Sequence, residues 1–222
     1  MAGAHISLAG PAYANSTFEA SFTVGHGCEN PAVAGTMLDT YSVTVDIPIG
    51  VTSVRAVDST LGKAVAAVTA GNVTSITWTK TMSDVLSADI DFYRLPVRMK
   101  LPDAAFSIVY FNAHQICLGP NNTQIEVDWI GTIDQTTALP DGAPPPEPAP
   151  KVVLLPPRVP GWNKFSVKTA VSDLTIFNDA EIVWAGDAAY SVNPNYTALI
   201  GTEPNTSALK AVAAGTDIWV KY

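Results

Sequence analysis

The sequence predicts an all-β protein: an antiparallel β-sandwich followed by a smaller β-rich domain. Three observations support this fold class. Short segments alternate apolar and polar residues, which is the pattern of a strand with one buried face. The 222 residues include 17 prolines and 15 glycines, and both residue types shorten helices. Turn-forming residues such as Gly119-Pro120-Asn121-Asn122 separate the alternating segments, as expected for the short strands of a sandwich.

The individual strands follow from alternation or from enrichment in β-branched residues. In the first part of the chain, strands are predicted at residues 18–24, 41–49, 73–79, 92–101, 106–111 and 124–130. Pro96 lies inside the fourth of these, and because proline has no backbone N–H, we expect that strand to be weakened in its middle. In the last part, the sequence predicts strands at residues 164–171, 181–184 and 217–221, and a short helix at residues 206–214.

A proline-rich stretch is predicted to separate two domains. Nine of the 17 prolines lie between Pro140 and Pro160. Such a run favours extended polyproline II conformation, which predicts a semi-rigid linker or an extended segment laid along a surface. We therefore expect a sandwich over residues 1–139, a linker over residues 140–160 and a small β-rich domain over residues 161–222.

Charge, hydropathy and motif content exclude several classes of function. The formal net charge is −8 with 12 Lys and Arg residues, whereas nucleic-acid binding needs a clustered basic face. No run of about 18 apolar residues occurs, so the sequence predicts no transmembrane segment. The chain also lacks a Gly-rich phosphate loop and the G-x-S-x-G and H-E-x-x-H motifs, so hydrolase chemistry is not predicted.

The first residues predict export and a possible metal ligand. Ala2-Gly3-Ala4 has the small-x-small form that signal peptidase recognises, so we expect a signal peptide to be removed or replaced and the mature chain to begin at His5. An amino-terminal histidine offers its α-amine and imidazole Nδ1 to one ion, and nitrogen ligands in a plane suit Cu(II). The alternatives are a chance run of small residues and an ordinary histidine on a first strand.

Each of the two cysteines has a histidine close by in sequence, in His26-Gly27-Cys28 and in His114-Gln115-Ile116-Cys117. With free thiols, these four side chains could close a tetrahedral zinc site. In an exported protein the cysteines would instead form one disulfide, with His26 and His114 on the surface nearby. The disulfide is the expected state, because H-x-C combined with H-x-x-C is an unusual zinc spacing.

Several short motifs follow one another in a fixed order along the first part of the chain. They are His5-Ile6-Ser7-Leu8, Gly25-His26-Gly27-Cys28, Val45-Asp46-Ile47-Pro48-Ile49-Gly50-Val51, Ile76-Thr77-Trp78, Asp91-Phe92, Lys100-Leu101-Pro102-Asp103, His114-Gln115-Ile116-Cys117 and Val127-Asp128-Trp129-Ile130-Gly131. This ordered set resembles the YcnI-like family of exported bacterial copper-binding domains, over about residues 4–132.

The resemblance implies an immunoglobulin-like β-sandwich that binds one Cu(II) ion at its amino terminus. In that family the first histidine holds copper through its amine and imidazole, and this histidine corresponds to His5. An acidic side chain completes the site, and Asp91 is the best positional match, followed by Asp89. The tryptophan beside the copper corresponds to Trp129. The family has glutamate where this chain has the shorter aspartate, which leaves the identity of the acidic ligand open.

The resemblance also implies a function. We expect a periplasmic or secreted Cu(II)-binding protein of copper homeostasis, a chaperone or store and not a catalyst, with a structural Cys28–Cys117 disulfide. A membrane copper importer or another copper protein would be its partner. One alternative is a copper-dependent oxidative enzyme resembling polysaccharide monooxygenases, with His26 or His114 as a second histidine ligand. Another is a module without metal that binds carbohydrate or a partner through the aromatic residues Trp162, Trp184, Trp219, Tyr190, Tyr196 and Tyr222.

Overall fold

The computed structural model describes residues 6–132 and 146–222, which are largely β-structured. The strands are β1 (Ile6–Leu8), β2 (Ala12–Tyr13), β3 (Thr17–Val24), β4 (Cys28–Glu29), β5 (Met37–Leu38), β6 (Thr40–Asp46), β7 (Thr52–Ala56), β8 (Ala64–Thr69), β9 (Asn72–Thr79), β10 (Tyr93–Lys100), β11 (Ile108–Tyr110), β12 (Ala113–Leu118), β13 (Gln124–Gly131), β14 (Glu147–Pro148), β15 (Lys151–Leu155), β16 (Trp162–Ser166), β17 (Ile182–Ala185), β18 (Ala188–Tyr190), β19 (Ser207–Ala208) and β20 (Asp217–Lys221). The helices are α1 (Pro194–Thr202) and short 3-10 turns at Met82–Asp84, Pro120–Asn122 and Leu174–Phe177. The predicted all-β class is confirmed. Among the described helices, none has the length and apolar character needed to cross a membrane.

Contacts group the chain into two compact units, each assembled from three segments. The first contains Met1–Gly10, Thr17–Leu101 and Val109–Val152, and the second contains Pro11–Ser16, Pro102–Ile108 and Val153–Tyr222. This division differs from the predicted domains, 1–139 and 161–222. The reason is hydrogen bonding within the second unit, where Ala12 pairs with Leu154 and the Phe106 N–H donates to the Leu154 carbonyl at 2.6 Å.

The described part of the proline-rich stretch is partly β-structured. β14 runs parallel to β13, and β15 runs parallel to β2. Because Lys151–Leu155 contains no proline, each of its residues keeps a backbone donor, and Val152 and Leu154 are buried. The described part of the predicted linker, residues 146–160, therefore contains two strands, β14 and β15, whereas residues 140–145 lie outside the described residues.

The first unit is a sandwich of two mainly antiparallel sheets. One has the order β1-β3-β10-β7 and the other the order β14-β13-β12-β6-β9-β8. Their alternating apolar side chains form the core, including Phe22 of β3, Val43 of β6 and Trp78 of β9, all fully buried. Burial of one such side chain contributes about 1.5–3 kcal/mol. The rings of Phe22 and Phe111 meet edge to face with their centroids 5.3 Å apart. The alternation in the sequence thus identified the core-forming strands.

Pro96 does not interrupt its strand, so that expectation is wrong. β10 pairs with β3 along its whole length. The N and O atoms of one strand residue face the same neighbouring strand, and the Pro96 carbonyl accepts a hydrogen bond from the Val57 N–H at 3.1 Å. The hydrogen bond that Pro96 cannot donate would therefore go to Val57. Val57 follows the last residue of β7, so the ladder of hydrogen bonds between β10 and β7 has already ended at that point.

A disulfide joins Cys28 of β4 to Cys117 of β12. Both residues are buried and pack against Leu38. The predicted disulfide is confirmed. The zinc site that required two free thiols is wrong, because the described part of the chain contains no free cysteine.

The second unit contains a five-stranded sheet of order β16-β20-β17-β18-β19. One face of this sheet packs on a cluster that includes Phe106, Phe177 and Val220. Residues 206–214, predicted as a helix, contain β19 instead. The helix α1 lies earlier in the chain, where the Asn193 side chain accepts a hydrogen bond from the Asn195 N–H and Pro194 occupies the first turn.

Candidate metal centre

Two of the candidate metal residues, Asp91 and Asp89, lie at one end of the β1-β3-β10 sheet. In its register, Ile6 is opposite Val24, and Val24 is opposite Tyr93. β1 therefore begins where β3 ends and β10 begins. Asp91 precedes Tyr93 by two residues and belongs to this end. His5 precedes Ile6 and lies outside the described residues.

A buried ion pair anchors this end of the sandwich. Lys80 Nζ lies 2.5 Å from Asp39 Oδ2, and the two side chains are 4% and 0% exposed. The Leu86 N–H donates to the same oxygen at 2.8 Å, and the Tyr93 hydroxyl donates to Asp39 Oδ1 at 3.0 Å. Burial of two charges is costly unless hydrogen bonds complete their solvation. Here Asp39 has three donors, so the pair holds Tyr93 in a fixed position.

The Tyr93 hydroxyl lies between two carboxylates. It is 3.0 Å from Asp39 Oδ1 and 3.2 Å from Asp91 Oδ2, and one hydroxyl proton serves both. Burial, followed by the hydrogen bonds and negative charges of Asp39 and Asp91, raises the pKa of Tyr93 well above its usual value. The hydroxyl therefore stays protonated and positions the exposed Asp91 carboxylate.

Asp89 carries a buried oxygen that no described residue satisfies. Its Oδ1 atom is inaccessible and has no hydrogen-bond partner among the described residues. Burial raises the pKa of the Asp89 carboxyl, which outweighs the lowering by the backbone of Gly27 and by His26. A buried carboxylate oxygen without a donor is destabilising. A proton or a cation bound to Asp89 would remove that cost.

Two hydrogen bonds connect Trp129 to this end of the sandwich through Gln115. Its indole N–H donates to Gln115 Oε1 at 3.2 Å, and Gln115 Nε2 donates to the His26 carbonyl at 2.9 Å. Trp129 is 4% exposed. His26 Nδ1 lies 2.6 Å from the Gly27 carbonyl. The hydrogen bonds therefore connect Trp129 to the segment around Gly27, which contacts Asp89.

No role for Asp39, Lys80 or Gln115 follows from the sequence motifs. A signal for Gln115 exists, because it lies between the buried positions Ala113 and Cys117 in the alternation of β12, where an apolar residue is expected. Asp39 and Lys80 are charged residues beside strand segments. Their pairing depends on contacts between distant parts of the sequence.

His114 lies on the opposite face of β12 from Gln115. Its Nδ1 atom is 2.6 Å from Asp128 Oδ1, and its Nε2 atom is 3.4 Å from Asp46 Oδ2. Partial burial lowers the pKa of His114, but the hydrogen bonds and charges of Asp128 and Asp46 outweigh it, so the pKa is raised. His114 therefore belongs to a separate cluster, apart from Asp89 and Trp129.

The second unit carries an exposed group of tryptophans. Trp162 of β16, Trp184 of β17 and Trp219 of β20 line, with Gly186, a surface cavity of about 400 Å³. Trp184 is directly opposite Trp219 in the sheet. Trp162 and Trp219 are 50% and 49% exposed. These indoles lie on the face of the sheet opposite to the Val220 core.

The fold of the first unit defines an immunoglobulin-like β-sandwich domain. The chain belongs to the family described as "Domain of unknown function (DUF1775)", which matches residues 5–154. This is the domain of the YcnI-like family, so the resemblance found in the motifs is confirmed at the level of the family. The match extends beyond the motif-bearing residues and includes β14 and most of β15.

Two solved structures are similar to this chain. An uncharacterised protein from Nocardia farcinica, reported to have an immunoglobulin-like fold, is 22% identical with a TM-score of 0.50, over 68% of this chain and 98% of that chain. Domains D2 and D3 of the major pilin SpaD from Corynebacterium diphtheriae are 11% identical with a TM-score of 0.38, over 57% of this chain and 49% of that chain. A search of curated proteins finds no match. The first similarity confirms the immunoglobulin-like fold.

Proposed function

We propose that this protein is an exported bacterial Cu(II)-binding protein of copper homeostasis, acting as a chaperone or store. The ion would be held by the α-amine and imidazole of an amino-terminal His5. The observation that carries this proposal is Asp89 Oδ1, a buried carboxylate oxygen without a partner among the described residues. The Asp89 carboxyl group contacts Gly27 in the segment that follows β3, at the end of the sheet where β1 begins.

The donor types at this end suit Cu(II). Two nitrogens of His5 and one oxygen of Asp89 form a mixed set, and Cu(II) has the highest affinity for such ligands among the common divalent first-row ions. Asp91, positioned by Tyr93, offers a second carboxylate. We assign Asp89 as the ligand and Asp91 as the neighbouring carboxylate, because the Asp91 oxygen already accepts a hydrogen bond.

The local charge also favours a cation. Asp39, Asp89 and Asp91 supply three carboxylates, and Lys80 is paired with Asp39. Among the described residues, no Lys or Arg forms an ion pair with Asp89 or Asp91. A divalent ion would compensate the excess negative charge at short range, where Coulomb interactions are strongest.

Trp129 and Gln115 would support the site without binding the ion. Gln115 ties the Trp129 indole to the carbonyl of His26, the residue before Gly27, which contacts Asp89. Such outer partners orient ligands and limit access of water. Storage or transfer is favoured over oxidative catalysis because His114, one candidate for a second histidine ligand, is held by carboxylates on the opposite face of β12.

The disulfide supports the exported location. The Cys28–Cys117 bond is buried in the sandwich, and such bonds persist mainly in oxidising compartments. A periplasmic or secreted copper protein would pass its ion to a membrane copper importer or to another copper protein. Transfer requires access of a partner to the ion, and the exposed Asp91 carboxylate beside the assigned ligand offers a point of contact.

The decisive experiment compares two amino termini. A form that begins at His5 and a form that retains Met1–Ala4 are titrated with Cu(II) and followed by calorimetry and electron paramagnetic resonance. We expect the first form to bind one Cu(II) ion tightly that the second form does not bind. In that form, Asp89→Asn should weaken binding at least about tenfold, and Asp91→Asn should weaken it less. Equal, weak binding by both forms would contradict the proposal.

The tryptophan cavity favours a second function, which we propose for the second unit: binding of carbohydrate. Indole faces are large, rigid contact surfaces, and half-exposed tryptophans gain most when a ligand covers them. Affinity electrophoresis in gels that contain soluble polysaccharides tests this proposal. We expect Trp162→Ala and Trp219→Ala to abolish retardation and Tyr13→Ala, which changes another exposed aromatic residue of this unit, to leave it intact. Absence of retardation with every polysaccharide would refute the proposal.

A further inference from the structure

The outward face of the six-stranded sheet carries a cluster of metal-ligating side chains. Gln115 and Trp129 are buried, so strand alternation turns their neighbours His114 and Asp128 outward. His114 is directly opposite Asp128 in the register of β12 and β13. Glu126 precedes Asp128 by two residues and shares its face. One donor atom from each of these three side chains lies within 4.8 Å of the other two.

The histidine of this cluster is oriented in a way typical of metal ligands. Its Nδ1 atom faces Asp128, while its Nε2 atom is 3.4 Å from the Asp46 carboxylate on the neighbouring strand β6. Histidines that bind metal through one ring nitrogen commonly donate the other N–H to a carboxylate, which fixes the tautomer and ring position. Asp46 can serve in that role and leave Nδ1 for an ion.

The charges of the cluster are not balanced by basic side chains. Within the described residues, no Lys or Arg forms an ion pair with Asp46, Glu126 or Asp128, and His114 is the ionic partner of Asp46 and Asp128. A protonated imidazole offsets at most one of these three negative charges. The remaining negative potential attracts a cation to the exposed donor atoms.

We propose that His114 Nδ1 and the carboxylates of Asp128 and Glu126 bind a divalent transition-metal ion of the Zn²⁺ type, with Asp46 as a positioning residue. One imidazole with carboxylates selects such an ion over Mg²⁺ or Ca²⁺. On binding, the ion replaces the proton between His114 and Asp128, and that proton leaves to solvent. The 2.6 Å contact then opens to the roughly 3.3 Å that separates two ligands of a tetrahedral zinc ion.

The test is calorimetric titration of the full chain, which retains Met1–Ala4, with Zn²⁺ in a buffer that does not bind metal. We expect one ion per chain and release of a proton on binding. His114→Gln should abolish binding. Glu126→Gln should weaken it at least about tenfold, and Asp46→Asn by about 10–100-fold, whereas Glu19→Gln on another sheet should change nothing.

Two outcomes would overturn the proposal. One is absence of binding below millimolar Zn²⁺, and the other is unchanged affinity in His114→Gln. Glu126 makes no hydrogen bond to His114, so Glu126→Gln keeps the test valid if the His114 variant unfolds. The result is independent of the proposed copper centre, because Asp89→Asn should leave Zn²⁺ affinity unchanged.

Discussion

Replacement of Lys80 by methionine removes one charge of the buried ion pair and nearly preserves side-chain volume. Asp39 would then remain buried with only the Leu86 N–H and the Tyr93 hydroxyl as donors. Because the two side chains are 4% and 0% exposed, solvent cannot compensate the lost charge. Loss of one partner of such a pair costs about 3–5 kcal/mol, so we expect the free energy of unfolding to fall by that amount.

Equilibrium unfolding in urea, followed by circular dichroism with the disulfide intact, measures this loss. Arg98→Met is the matched control, since Arg98 and Glu19 are 59% and 81% exposed and their pair contributes less than about 1 kcal/mol. Asp39→Asn combined with Lys80→Met should recover part of the loss, because no unpaired charge remains. A loss below about 1 kcal/mol for Lys80→Met alone would refute the argument from burial.

Three further substitutions test the residues that support the candidate metal centre. Cys28→Ser opens a link between residues 89 positions apart and should lower the unfolding free energy by about 4–5 kcal/mol, measured against the oxidised protein in urea. Gly27→Ala places a Cβ 1.6 Å from a backbone oxygen and should lower the thermal midpoint, whereas Gly201→Ala in α1 has open space and should not. Gln115→Leu removes the donor to the His26 carbonyl and should cost about 1–3 kcal/mol, seen as an earlier change in tryptophan fluorescence.

Much of the fold could be predicted from local sequence patterns. The strand predicted at residues 217–221 coincides with β20, and the alternation in residues 18–24 corresponds to β3. The helix predicted at residues 206–214 lies instead at Pro194–Thr202, where Asn193 caps the first turn and Pro194 occupies it. The domain boundaries differ because contacts join segments far apart in sequence, which proline content does not report.

Motif order alone singles out Asp91, Asp89 and Trp129, and their role as a copper site stays a prediction. In the structure, Tyr93 contacts Asp91, and Gln115 links Trp129 to the His26 carbonyl, and neither contact follows from the motifs. Gln115 and Asp39 make their contacts with residues far away in sequence, and these contacts depend on which strands pair and in which register. Local hydrophobic periodicity does not show strand pairing. The sequence names His114 only as a ligand of a thiol zinc site or of copper. Its grouping with carboxylates was missed, because Asp46 lies on β6, 68 positions away, and the pairing of His114 with Asp128 depends on the register of β12 and β13.

The three-segment composition of the second unit has a practical consequence for protein engineering. A truncation after the proline-rich stretch looks like clean removal of an appended module, yet residues 11–16 and 102–108 would stay behind. Phe106 would lose the rings of Phe165 and Phe177, whose centroids lie 5.4 and 5.0 Å from its own. Such a shortened protein would expose an orphaned aromatic surface and would be prone to aggregate. Copper and zinc titrations therefore require the intact chain, including residues 153–222.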